Sequence, residues 1–154
     1  MDGCNNYTVL SEADRAQGHI SQNYRSDRSD LVPGWYRFQG AAGDRMADKC
    51  GPMYHCGTKH PVWLCGAHPT VAEGVVIRRV CFSEKQYCHR YQNIRVKNCG
   101  GYFVYALPTL YFSYDYRYCG NGRAGKISFT RQSKAVFLNF FKCDLINVNV
   151  GFLL

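Results

Sequence analysis

The sequence has no unbroken run of the ~20 mainly apolar residues that a membrane-spanning helix requires. Its most apolar stretch, Ala135 to Leu154, is interrupted by Asn139, Lys142, Asp144, Asn147 and Asn149, which excludes a conventional anchor there. Nor does a basic segment followed by an apolar core open the chain: Met1 to Arg15 is polar and mixed in charge, so nothing at this end directs export. There is no Pro/Ser-rich linker and no internal repeat of roughly 20–50 residues. At 154 residues these absences leave a single domain with one modest core. Acidic residues are scarce too, with 11 Asp and Glu against 19 Lys and Arg and a net charge of +8. Half of that excess lies late in the chain: residues 1–119 hold 14 basic and 10 acidic side chains, residues 120–154 five and one. In the body the signs alternate, as at Asp27-Arg28, Asp44-Arg45 and Asp48-Lys49. That describes a mixed solvated surface and not a stripe that tracks phosphates, so nucleic acid is not an expected partner.

Cysteine is what the chain has in excess. Nine are present, at positions 4, 50, 56, 65, 81, 88, 99, 119 and 143, and most stand beside Gly, Pro or aromatic residues. This is the pattern of a disulfide framework in an oxidising compartment. The missing export signal conflicts with that compartment. The expectation that reconciles them is that Met1 is not the natural start, and that the chain is a fragment of a larger secreted or membrane-tethered protein. A reduced cytosolic protein is the competing reading.

The hydrophobic pattern is β-like. Gly34 to Gly40 alternates Trp35/Arg37 with Tyr36/Phe38 between two glycines, and further strand signals run through Val62–Cys65, Gly74–Cys81, Asn93–Cys99 and Gly101–Leu107. Ile94 and Val96 alternate with Arg95 and Lys97, and Gly100-Gly101 supplies the turn of a hairpin over residues 93–107. A short helix is expected over residues 11–16, with Ser11 as its N-cap. The fold class is therefore mainly β: a small disulfide-rich domain of short antiparallel strands with one or two short helices. After Gly122 the Cys/Gly/Trp rhythm stops. Residues 123–154 are expected to be a non-domain tail, a gene-model artefact or an ordinary last element.

The residues that carry chemistry do not assemble into a catalytic set. Cys50, His55, Cys56 and His60 offer zinc-ligand types, with Cys88-His89 further on, but the spacing between the first two cysteines is too long for a finger and no second compact pair follows. Glu73 and Glu84 have no carboxylate partner for glycoside chemistry. Gly40-Ala-Ala-Gly-Asp-Arg-Met lacks the Lys-Ser/Thr of a phosphate loop and reads as a turn. Trp35, Tyr36, Phe38, Trp63, Tyr102, Phe103 and Tyr105 are expected mostly in the core and not as a sugar platform. No enzyme activity, metal or cofactor is expected. The sequon Asn6-Tyr7-Thr8 is an acceptor for N-glycosylation in an exported chain.

Several ordered strings, DLVPGWYRFQGAAGDRM, WLCGAHPTVAEGVV, NIRVKNCGGYFVY and RYCGNG, together with Cys50 and Cys56, resemble the eight-cysteine-type domain of uromodulin. That domain is shared with the zymogen-granule glycoprotein and with invertebrate extracellular proteins. The resemblance covers about residues 4–122, hence a domain at 1–122. It implies a secreted or cell-surface, non-catalytic adhesion or glycan-display module set among other extracellular domains, and in mammalian members N-glycans that capture bacterial fimbrial adhesins. The implied partners are an extracellular protein or a glycan-binding protein. The resemblance also implies the bridges Cys4–Cys99, Cys56–Cys119 and Cys81–Cys88. A further family pair falls on Ser26 and Tyr114, where neither residue is Cys. The family partner of Cys50 falls at Tyr87, so Cys50–Cys65 is one expectation and Cys50–Cys88 its alternative, with Cys143 unassigned. The alternative function is a free-standing secreted basic effector of the defence-peptide or toxin kind.

Overall fold

The computed structural model describes residues 2–20, 22–84, 87–111 and 115–123. The expected tail, apart from Arg123, lies outside them, as do Cys143 and Tyr114. One seven-stranded sheet dominates: β1 (Thr8–Leu10), β2 (Gly34–Phe38), β3 (His60–Cys65), β4 (Val75–Glu84), β5 (Tyr87–Asn98), β6 (Phe103–Leu107) and β7 (Tyr116–Tyr118). Their order across the sheet is β1-β2-β6-β5-β4-β3-β7.

The strands follow the alternation of the sequence. In β2, Tyr36 and Phe38 are buried while Trp35 and Arg37 stay half-exposed, the period-2 pattern of a sheet with one face on the core. All six residues of β3 are buried, because β3 lies between β4 and β7 and is covered on both faces. The hairpin at 93–107 forms, with Val96 opposite Tyr105 and Asn98 opposite Phe103. Gly100 has φ +88° at its turn, a conformation that costs glycine nothing. β4 and β5 run further than their sequence signals, pairing from Val75↔Lys97 to Glu84↔Tyr87 through an irregularity at Phe82/Ser83.

Two short strands escape sequence reading and pair in parallel: β1 with β2 and β7 with β3. Three residues give too little periodicity to identify, and both are placed by neighbours remote in sequence. The expected helix at 11–16 is a single 3-10 turn, Ala13–Arg15, preceded by Glu12 and without a side-chain cap. A four-residue helix α1, Asp27–Asp30, is capped instead by Ser26, whose hydroxyl accepts from Arg28 N. The glycine string after β2 is a 3-10 turn, Gly40–Ala42.

The main core gathers Phe38, Leu64, Val80, Phe82, Val96 and Tyr105 on one face of the sheet, with Met46 and Tyr116. A second cluster joins Trp63, Ala47, Cys56, Cys65, Cys81 and Cys119. Among the described residues three disulfide bonds brace these layers. Cys4–Cys99 ties the N-terminal segment to the β5–β6 turn, Cys56–Cys119 ties the loop before β3 to the end of β7, and Cys81–Cys88 crosses the β4–β5 hairpin. Their Cα separations are 5.7, 5.5 and 5.2 Å, within the normal range. In the chain-entropy account the bond that closes 95 residues restricts the unfolded chain by about 4–5 kcal/mol, and the one that closes seven by about half of that.

Candidate functional site

The sequon sits where the N-terminal segment is clamped to the sheet. Asn6 and Thr8 are exposed and Tyr7 is half-buried, with its ring 5.7 Å from Tyr102. The Arg37 guanidinium lies 3.9 Å from the Tyr102 ring and donates to Tyr7 Oη at 2.9 Å. Tyr102 in turn donates to Cys4 O at 2.8 Å. The Asn6 side chain is thus presented to solvent from a segment fixed by a disulfide, a cation–π contact and two hydrogen bonds.

Among the described residues three bonded pairs join six cysteines, and Cys65 is disulfide-bonded as well. Among the described residues no bond joins Cys50 to Cys65: Cys50 is exposed with Sγ 3.7 Å from Gly51 O, whereas Cys65 is buried with Sγ 3.3 Å from Cys81 Sγ. Although Cys50 has exposed surface, the chain around it partly desolvates the thiol and raises it above its usual range, which disfavours the nucleophilic thiolate. Of the residues weighed as zinc ligands, Cys56, Cys88, His55 and His60 do other work, and the His89 side chain lies outside the described residues. Cys56 is bonded to Cys119, His60 Nδ1 lies 3.0 Å from Ser83 O, and His55 Nδ1 lies 3.1 Å from Met53 O. Among the described residues no group of three His, Cys, Asp or Glu side chains could hold a metal ion. Glu73 is occupied by Thr70 and Arg78, and Glu84 accepts from Tyr116 Oη. Of the aromatic set, Tyr36, Phe38, Trp63 and Tyr105 are buried, so no continuous platform forms.

Two polar constellations had no sequence signal. The first is a buried charge cluster. Arg15 binds Asp27 through both terminal guanidinium nitrogens, at 2.8 and 3.0 Å, and also donates to Tyr118 O. Asp27 accepts from Tyr118 N at 2.8 Å, while Arg117 Nη1 lies 3.0 Å from Asp14 Oδ1 and donates to Cys56 O. Arg15, Asp27 and Arg117 are fully withdrawn from water. This corrects the reading of Asp27-Arg28 as solvated surface, since only Arg28 faces water. Burial alone would lower the Arg15 guanidinium, but Asp27 and Glu12 outweigh it and hold Arg15 cationic. Arg117 is lowered by burial and by Arg15 beside it. The cluster links the Ala13–Arg15 turn, α1, β7 and the loop that carries Cys56, which makes it a structural brace.

The second is His68, whose ring lies 4.5 Å from Phe103 and whose Nε2 is 2.8 Å from Tyr105 Oη. Tyr105 Oη accepts from Met46 N at 2.9 Å, so its own proton goes to His68 Nε2. That assigns His68 the neutral Nδ1–H tautomer, directed toward Asp48 at 3.8 Å. Burial pushes the His68 imidazole down to about 4.

With this geometry in view, comparison with known proteins places the chain. A family model described as a uromodulin-like domain matches residues 36–120, and the chain belongs to that family. Among similar proteins are the pancreatic secretory granule membrane major glycoprotein GP2 of Canis lupus familiaris, 43% identical over 108 residues, and uromodulin of Mus musculus, 41% identical over 111. The first alignment covers 69% of this chain and 21% of the relative, the second 71% and 17%. Uromodulin of Rattus norvegicus is 43% identical over 109 residues, 70% of this chain and 16% of that protein. The chain therefore spans about a fifth or less of these relatives. No helix among the described residues is long and apolar enough to cross a membrane.

Proposed function

We propose that this chain is a non-catalytic extracellular module of a larger multidomain protein, one that binds or presents and carries an N-glycan on Asn6. The observation behind this reading is the uromodulin-like family membership of a sheet braced, among the described residues, by three disulfide bonds, a construction suited to an oxidising compartment. The short share of its relatives that it spans supports a place among neighbouring modules. A non-catalytic role is supported by the side chains themselves, because Cys56, Cys88, His55, His60, Glu73 and Glu84 are engaged in structure. The domain is residues 1–122, since Cys4 and Arg15 are tied to Cys99 and Tyr118 although they precede the matched segment. Its partner is an extracellular protein or a glycan-binding protein that recognises the chain at Asn6.

The test is secretion of the full chain from a eukaryotic host behind an added signal peptide, followed by non-reducing peptide mapping with and without glycosidase. The bridges Cys4–Cys99, Cys56–Cys119 and Cys81–Cys88, with a glycan on Asn6, are the expected result. A folded product with those cysteines reduced and Asn6 bare would overturn the proposal.

A further inference from the structure

The sheet presents a second surface away from the main core. Val80, Ile94 and Val96 point into the core, so the alternation of β4 and β5 sends Val75, Ile77 and Arg79 to the opposite face, beside Lys97, Arg95 and Asn93. On it Ile77 is 59% and Val75 44% exposed, an apolar lane on β4 next to a basic lane on β5. Aromatic rings fix the two arginines. The Arg95 guanidinium is 5.4 Å from the Trp35 ring, and that of Arg79 is 4.1 Å from the ring of Tyr91. The neighbouring cations are already paired, Arg78 with Glu73 and Lys97 with Asp2. Among the described residues neither Arg79 nor Arg95 has a carboxylate partner.

We propose that this face docks an acidic amphipathic helix, with its apolar stripe on Val75 and Ile77 and its bordering carboxylates on Arg95 and Arg79. The proposal deepens the binding-module reading and rests on it. The two lanes lie about 4.8 Å apart, well within the roughly 10 Å width of one helix. A single extended strand sends alternate side chains to opposite sides and covers one lane only. A guanidinium pre-oriented by an aromatic ring matches a carboxylate bidentately. Among the described residues this face offers two arginines without a carboxylate partner, beside the already paired Lys97, too few for a polysulfated chain, whose binding scales with the number of anions neutralised. The chain itself is a poor occupant: its net charge is +8, and residues 120–154 carry five basic side chains against one acidic. A second copy is repelled for the same reason.

The test titrates the full chain with a synthetic helical peptide of Glu, Ala and Leu, its leucines on one stripe and its glutamates along the border. An isosequential peptide with Lys for Glu, poly-L-glutamate and heparin are the comparison probes. The acidic peptide is expected to bind and the Lys version not. Arg79→Glu, Arg95→Glu and Ile77→Asp should each weaken binding about tenfold, while Arg25→Glu leaves it unchanged. Circular dichroism checks that these substitutions, at exposed Ile77 and Arg95 and half-exposed Arg79, keep the fold. Absence of binding, binding that survives Arg79→Glu with Arg95→Glu, or heparin or poly-L-glutamate binding as tightly with no effect of Ile77→Asp would overturn the proposal. Export and the disulfide map are read separately, so failure of the extracellular reading is distinguishable from failure of this surface.

Discussion

Arg15 and Asp27 meet through two hydrogen bonds, at 2.8 and 3.0 Å, with both side chains withdrawn from water. A charge in that position is tolerated only while its partner is present. Asp27→Ala would leave Arg15 and Arg117 sharing the half-exposed Glu12, at 3.4 and 3.8 Å, in place of a buried carboxylate, and Tyr118 N without its acceptor. The expected cost is about 3–5 kcal/mol, read as a lower urea midpoint. Asp14, half-exposed and paired with Arg117, should cost less when changed to Ala, about 1–2 kcal/mol, because Arg117 keeps Glu12 and Asp27 nearby. Equal losses from the two substitutions would refute the brace.

Acid should loosen the loop that packs on β6. The folded state holds the His68 imidazole neutral down to about pH 4, against an ordinary value of 6.5. Between those values the unfolded chain binds more protons than the folded one, so this contribution is fully present above pH 6.5 and is lost as pH falls toward 4. At 1.36 kcal/mol per factor of ten, the loss is at most about 3 kcal/mol. His68→Gln should flatten the slope of stability against pH in that window. An unchanged slope would show that another group controls it.

The sheet was legible in the sequence wherever a strand showed alternation. Tyr36/Phe38 and Ile94/Val96 announced which face of β2 and β5 is buried, and Gly100-Gly101 announced the hairpin. What could not be read was anything fixed by distant partners. β1 and β7 are three residues each and depend on β2 and β3 for their existence. Asp27 and Arg117 look like surface residues until chain reversals bring α1 and β7 together. The sequon and the cysteines were visible because their chemistry is carried by residue type. The Arg95–Trp35 contact depends on register, which places both opposite Ala106.

Close backbone approach selects glycine at 120. A Cβ there would collide with Ala42 O and come within 2.9 Å of Phe38 Cδ1, in the strip where Gly120 N donates to Arg15 O and Gly122 N to Ala42 O. Since the obstacle is largely backbone, the clash is not relieved by a rotamer change, and Gly120→Ala is expected to cost about 3 kcal/mol or more. Gly51 has no atom within 4 Å of such a Cβ, and Gly51→Ala should be neutral or stabilise by up to about 1 kcal/mol. Comparing the thermal midpoints of the two variants checks this, and similar midpoints would rule out the close approach.

The Cys4–Cys99 bond holds Gly3 against Trp35, where an added Cβ would sit 2.5 Å from the indole Cγ. The indole is therefore in contact with main chain at Gly3 and approached by the Arg95 guanidinium. Replacing both cysteines by Ala releases the segment that carries Asn6 and β1, at an expected cost of about 2–5 kcal/mol. Before global unfolding it should also wet the indole. The expected signature is a red shift of tryptophan emission under native conditions, with easier quenching by iodide. Trp63 lies buried in the second cluster and is not uncovered by this change, so a Trp35→Phe background should abolish the shift. A shift that persists in that background would place the disturbance at Trp63 and show that the bond supports the cysteine-rich cluster more than the N-terminal clamp.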